Sequence, residues 1–224
     1  MGGEGEMRYD IGTELDINQL NKPVRGQVIT EDVYEGVTLY SLAKDTDIPV
    51  TTYPTYHSIF LLSGKLNVFT RDRLSVKVSR EMVQGQFIIL PIEEPSGATV
   101  LEDAVAVDVV LGKRLETEKV KPMEPLFVRD LANYKGGAVI RTSILQSGYM
   151  IMDVITLDMH TELAKLPATG ELILTVVDGE GYVRYDNHET LLHIGRSFRV
   201  SKGTTCDLFT HDTQVKMSVL MRME

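Results

Sequence analysis

Apolar positions along the chain fall in short runs broken by turn residues, with no helical spacing. GVTLYSLA (36–43), IFLLSGKLNVF (59–69), LSVKVSR (74–80) and QFIILP (86–91) are rich in β-branched, aromatic and aliphatic side chains, which suit a pleated, half-buried surface. Breakers punctuate them: TRDR (70–73), EEPSG (93–97), YDNHE (185–189) and THDTQ (210–214), where Gly, Pro, Asp and Asn favour turns. No long segment keeps an apolar period of about 3.6 residues. DINQL (16–20) and VRDLANY (128–134) read as single helical turns. The pattern predicts an all-β protein of closely spaced strands, a sandwich or small antiparallel barrel.

The pattern is also written twice. YHSIFLLSGKLNV (56–68) aligns without gaps with ELILTVVDGEGYV (171–183), pairing Gly64 with Gly179 and Val68 with Val183. LNKPVRGQVI (20–29) matches LANYKGGAVI (131–140), and GQFIILPIEEPS (85–96) matches GRSFRVSKGTTC (195–206). Each copy then closes on an apolar strand, AVAVDVVLG (104–112) and QVKMSVLMRM (214–223). Segments that recur in one order indicate an internal duplication, and two copies are too few for a solenoid. Between them KRLETEKVKPMEP (113–125) alternates in charge and carries Pro122 and Pro125, which cannot donate to a strand ladder. The expected division is a flexible tail at 1–14, a first domain at 15–112, a linker at 113–125 and a second domain at 126–224.

Leu-Leu-Ser-Gly-Lys-Leu (61–66) followed by Gly85 to Pro91, and Val-Val-Asp-Gly-Glu-Gly (176–181) followed by Gly195 to Cys206, resemble the two signature segments of the cupin family. The resemblance runs from about residue 15 to 224. It implies two tandem double-stranded β-helix (jelly-roll) barrels, a bicupin, each wide enough inside for one small ligand. Cupin halves commonly pair, which implies an internal pseudo-dimer and allows a homodimer. Metal-holding members gather three imidazoles and a carboxylate around a divalent ion, at fixed offsets from the glycines. Those offsets fall here on Thr51, Tyr53, His57 and Ser96 in the first copy, and on Leu166, Ala168, Leu172 and Cys206 in the second. One imidazole among hydroxyls is a poor transition-metal site, and two leucines, an alanine and a thiol make none. No metal and no cofactor is expected, and the second barrel should be filled by its own side chains.

Alternation along HSIFLLS points His57, Ile59, Leu61 and Ser63 to one face, the interior one in the cupin register. Thr51, Tyr53, His57 and Ser96 are therefore the candidate ligand-binding residues. The resemblance to metal-free cupins that act as sugar epimerases implies His57 as base and Tyr53 as acid. Such chemistry needs a carboxylate on the imidazole, and Asp45, Asp47, Glu93 and Glu94 are the acids nearby in sequence. The blander alternative makes His57 a hydrogen-bonded core residue, with Tyr53 packed across the barrel end. Three functions stay open. One is a metal-independent binder of a small polar or anionic molecule; another is a metal-free isomerase, epimerase or lyase on sugars or carboxylic acids. The third is a non-binding oligomerisation module. His188, His193 and His211 lie at turns or strand ends and should meet water; His160 takes the place of Asp45 and reads as a surface group. Cys206 should be buried and inert.

Composition narrows the partners further. The 224 residues are 43% hydrophobic and 25% charged, with a net charge of −9. Without excess Lys and Arg to neutralise phosphates, neither nucleic acid nor an anionic membrane is an expected partner. The single cysteine excludes an intrachain disulfide. MGGEGEMRYDIG lacks the apolar run of a secretory signal, and Glu6 departs from the myristoylation pattern. The cytoplasm is the default expectation.

Overall fold

The computed structural model describes residues 11–20, 22–72 and 75–223. The first strands in chain order are β1 (Glu14–Leu15), β2 (Val28–Tyr34), β3 (Val37–Leu42), β4 (Asp47–Thr52), β5 (Tyr56–Arg71) and β6 (Val76–Val83). Next come β7 (Gln86–Leu90), β8 (Pro95–Gly112), β9 (Leu115–Glu116), β10 (Leu126–Phe127), β11 (Val139–Ser147) and β12 (Met150–Leu157). The last are β13 (Glu162–Pro167), β14 (Leu172–Tyr185), β15 (His188–His193), β16 (Ser197–Val200), β17 (Thr205–Phe209) and β18 (Val215–Arg222). The two helical turns expected from sequence form as α1 (Ile17–Leu20) and a 3-10 turn at Val128–Leu131. Among the described residues no helix is long and apolar enough to cross a membrane.

The described strands form two antiparallel sheets, one for each half of the chain. One runs β10-β7-β5-β8-β3-β2, with β4 on β8 and β6 on β5. The other runs β1-β16-β14-β18-β12-β11-β9, with β15 and β17 on β14 and β13 on β17. The duplication extends to single backbone bonds. Gly85 N–H donates to Leu61 O at 2.8 Å, and its counterpart Gly195 N–H donates to Val176 O at 2.9 Å. Asp45 and His160, which align, both take a left-handed φ, 63° and 57°.

Alternation divides the side chains among three cores. Ile59 and Leu61 of β5 join Leu66, Val68, Ile88 and Leu90 inside the first half. Leu172, Leu174 and Val176 of β14 join Val215, Met217 and Val219 inside the second. The intervening residues form a third core along the seam, where Leu62, Phe87, Val107 and Val109 meet Met152, Val154 and Ile173. The closing Met-rich strand thus packs inward through Met217 and Met221.

Chain segments also cross the seam in both directions. Of the stretch 1–14 expected as a tail, residues 1–10 lie outside the described residues. Gly12 N–H donates to Arg199 O at 2.9 Å, and Glu14 stands opposite Phe198 in β16 of the second half. Arg196 grips the same segment through Glu14 at 3.2 Å and through Asp16. In return Leu126 and Phe127, assigned to the second domain, pair with Phe87 and Gln86 of the first. The linker itself contributes β9, which pairs with β11. Strands of two residues carry no readable period, so alternation could not reveal them.

Gly64 and Gly179 are the positions on which the register turns. Both sit inside continuous strands, Gly64 within a bulge and Gly179 just past one. Both have positive φ, 80° and 71°. A Cβ on Gly64 would lie 2.1 Å from Asp103 O, and one on Gly179 would lie 1.9 Å from Gln214 O. The bulges also interrupt the alternation that placed Ser63 with His57. Backbone clash combined with left-handed strain sets the expected cost of Gly64→Ala or Gly179→Ala at about 2–4 kcal/mol. Urea denaturation should show a lowered midpoint with an unchanged slope for each variant.

Candidate functional site

The inward face of β5 carries one titratable side chain at its start. His57 lies opposite Leu90 of β7 and Val110 of β8. Asp108, two pairs further along β8, stands opposite Ile59 and points into the same interior. Imidazole Nδ1 is 3.1 Å from Asp108 Oδ2 and 3.2 Å from Oδ1. A carboxylate only accepts, so Nδ1 carries the proton and Nε2 is the nitrogen left to meet a ligand. The side chains are only 11% and 15% exposed, and shielding from water strengthens such a bond.

Two phenols complete this end of the interior. The Tyr53 ring lies tilted over the imidazole, centroids 4.1 Å apart. Burial, and then the charge of Asp108, raise the Tyr53 hydroxyl above the usual phenol range, against a hydrogen bond with Thr51. The same two causes push Tyr40 up to about 12. Both groups therefore stay protonated near neutral pH and act as donors. Tyr40, Tyr53, Ser96 and Asp108 border an interior space of about 10 Å³, close to what one water molecule occupies.

The four residues picked from sequence fare differently. His57 and Tyr53 meet as expected, and Ser96 is buried on the wall of the small space, donating to Glu94 O at 3.1 Å. Thr51 meets the set through its hydrogen bond with the Tyr53 hydroxyl, from the surface. A bulge between Ile48 and Thr51 shifts the register of β4, leaving Thr51 exposed with its hydroxyl on Pro49 O at 3.3 Å. None of the acids proposed as partners of His57 holds it. Asp45, Asp47, Glu93 and Glu94 give way to Asp108, which reaches it from 51 residues along the chain. Tyr40 was missed as well. The available signal for both was position, since each is a polar residue spaced two from a buried one, Leu42 or Ala106, on a core-facing strand.

These donors do not suit the metal ion that the fold implies. Asp108 is engaged by His57 Nδ1, the Ser96 hydroxyl is spent on a carbonyl, and Thr51 faces solvent, which leaves His57 Nε2 as a single good ligand, too few to hold an ion. Among the described residues no group of three or more His, Cys, Asp or Glu side chains is placed to hold a metal. In the second half Leu166, Ala168, Leu172 and Cys206 all belong to the apolar core. The remaining histidines sit on the surface. His160 pairs with Asp212 at 3.3 Å, His193 pairs with Glu180 at 3.0 Å, and His188 and His211 are exposed.

No protein-family model matches the sequence, and no curated protein does. Solved structures do match. A cupin 2 conserved barrel domain protein from Leptotrichia buccalis superposes with a TM-score of 0.84 at 15% identity, covering 96% of this chain and 98% of that one. The fold is the cupin fold. More distant cupin-fold likenesses include a salicylate 1,2-dioxygenase from Pseudaminobacter salicylatoxidans, with a TM-score of 0.63 at 12% identity, covering 86% and 75% of the two chains. An oxalate decarboxylase from Bacillus subtilis has a TM-score of 0.52 at 9% identity, covering 96% and 78%.

Within this cupin fold the second-half interior is closed to chemistry. Cys206 is 2% exposed, and burial followed by the charge of Asp207 pushes its thiol up to about 12. The thiolate is the reactive form. Cys206 in the folded protein should therefore react with a disulfide reagent at least about a hundredfold more slowly than in the denatured chain, which absorbance at the released thiolate measures.

Proposed function

We propose that the chain is a metal-independent bicupin, with barrels in residues 15–112 and 126–224, whose first barrel takes a small hydroxylated molecule beside Tyr53, His57 and Asp108. The observation that carries this reading is the Nδ1–carboxylate bond of 3.1 Å. It fixes the tautomer, leaves Nε2 as the unprotonated nitrogen, and places a negative charge beside the imidazole. That charge disfavours an anionic ligand, because its repulsion offsets whatever a protonated His57 would attract. An uncharged polyol or sugar suits the set better, meeting one carboxylate acceptor and phenol donors. The present space is one water in size. Entry therefore displaces Tyr53, which lies on the connection between β4 and β5, outside any ladder.

Asp108 also favours chemistry over binding alone. A His held by a carboxylate takes a proton through Nε2, and a phenol kept protonated returns one. That division of labour is the one an epimerase, isomerase or lyase needs at a carbon next to a carbonyl. A thermal-shift panel of neutral sugars and sugar acids should pick out neutral compounds, with the shift lost in His57→Ala. Transfer of the carbon-bound proton to D2O, followed by NMR, should then fall by a factor of about 10²–10⁴ in Asp108→Asn. Stabilisation without exchange would leave a binding protein. No stabilisation by any compound, or stoichiometric bound metal in the purified protein, would defeat the reading.

A further inference from the structure

The seam between the halves holds space that neither interior has. A cavity of about 50 Å³ lies among Leu15, Ile17, Leu39, Val107, Met152 and Leu220. In the measure where one water takes about 10–15 Å³, it admits a few methylene-sized groups. Its walls are apolar apart from Ser58, Thr175 and Ser218. A groove of about 320 Å³ adjoins it, with Phe60, Leu62 and Thr175 lining both. The groove passes over Val176 and Val177 to the Gly85 and Gly195 turns. Ile194, 59% exposed, forms part of its lip.

Arg129 stands at this lip and is the single charged side chain among the described residues lining either space. Its guanidinium lies 5.0 Å over the Phe127 ring, which fixes its direction. Its carboxylate neighbour Asp130 is 3.8 Å away and 67% exposed, too loose and too wet to satisfy it. The site therefore has an apolar inner end, an apolar throat and one forked cation at the opening, in the kind of inter-domain crevice that ligands favour.

We propose that the seam binds a small monocarboxylic acid with an apolar body, its chain or ring lying past Phe60 toward the inner cavity and its carboxylate on Arg129. Charge complementarity selects the acid: among the described residues no carboxylate lines the path to repel it, and a guanidinium pairs with a carboxylate through two parallel bonds. This site is separate from the His57 end of the first interior, and its occupant differs in charge from the polyol proposed there.

Calorimetric titration with octanoate and with octanamide tests the assignment. Octanoate should bind at least about tenfold more tightly than octanamide, and Arg129→Gln should erase that difference, since a charge-assisted pair is lost. Ile194→Asp should weaken octanoate by a similar factor through repulsion at the lip. Both substitutions fall on exposed side chains, and unchanged melting temperatures would show that the fold survives them. Asp108→Asn should leave octanoate affinity unaltered, which separates this site from the one in the first interior. Equal affinity for the two probes, no binding of octanoate, or octanoate binding indifferent to both lip variants would overturn the proposal. So would a dimer that Ile194→Asp dissociates while no acid binds, because the groove would then belong to a second copy of the chain.

Discussion

Burial on both faces of the central strands is the constraint from which the rest of the structure follows. Along β5, Ile59 and Leu61 enter the first interior while Leu62 enters the seam; along β14, Leu172 and Leu174 enter the second interior while Ile173 enters the seam. A slip of one residue would exchange interior and seam for every side chain on the strand. Register is therefore held hard, and Gly64 and Gly179 hold it, since their bulges admit the neighbouring strand's backbone where any Cβ would collide. The two-residue exchanges of β1 and β10 then tie each half to the sheet of the other. His57 faces inward because the strand that carries it has no freedom to turn it elsewhere.

This constraint also explains what could be read from the residues and what could not. Strand content, the duplication and the inward direction of His57 were legible because apolar alternation and glycine anchors are local properties of the chain. Asp108 was not assigned to His57, because pairing between strands distant in sequence is a tertiary fact. AVAVDVVLG shows an acid inside a buried strand, yet nothing within it names the strand opposite. The outward turn of Thr51 escaped for a related reason: a bulge adds one residue, which reverses the faces of everything beyond it, and DIPVT gives no sign of one except its proline. That the second half fills its interior with its own side chains was readable, since Leu166, Ala168 and Leu172 are apolar in any register.

In the first interior one imidazole and one carboxylate satisfy each other. A buried imidazole with no partner would be costly to protonate, and a buried carboxylate with none would be costly to ionise. Placed 3.1 Å apart, each satisfies the other. The result is one side chain with a defined tautomer, set among phenols that burial keeps protonated. Little room is left around it. The Tyr53 connection beside it is anchored by Glu93 N–H donating to Tyr53 O at 2.9 Å and not by strand pairing through Tyr53 itself.

The seam shows how a duplication can make a site that neither copy has alone. Were the two copies still identical, like side chains would meet across the seam and fill it alike. They have diverged where it matters: Phe60 and Val107 of the first half correspond to Thr175 and Ser218 of the second, and all four line the inner cavity. Large side chains on one wall and small hydroxylated ones on the other leave a gap. Such a gap forfeits dispersion contacts and weakens the core in proportion to its size. Thr175 reduces the polar part of that cost by bonding Ser197 at 2.9 Å, but no side chain repairs the missing volume. An apolar ligand body would restore those contacts, and the one cation on the path stands where the polar end of such a ligand would emerge.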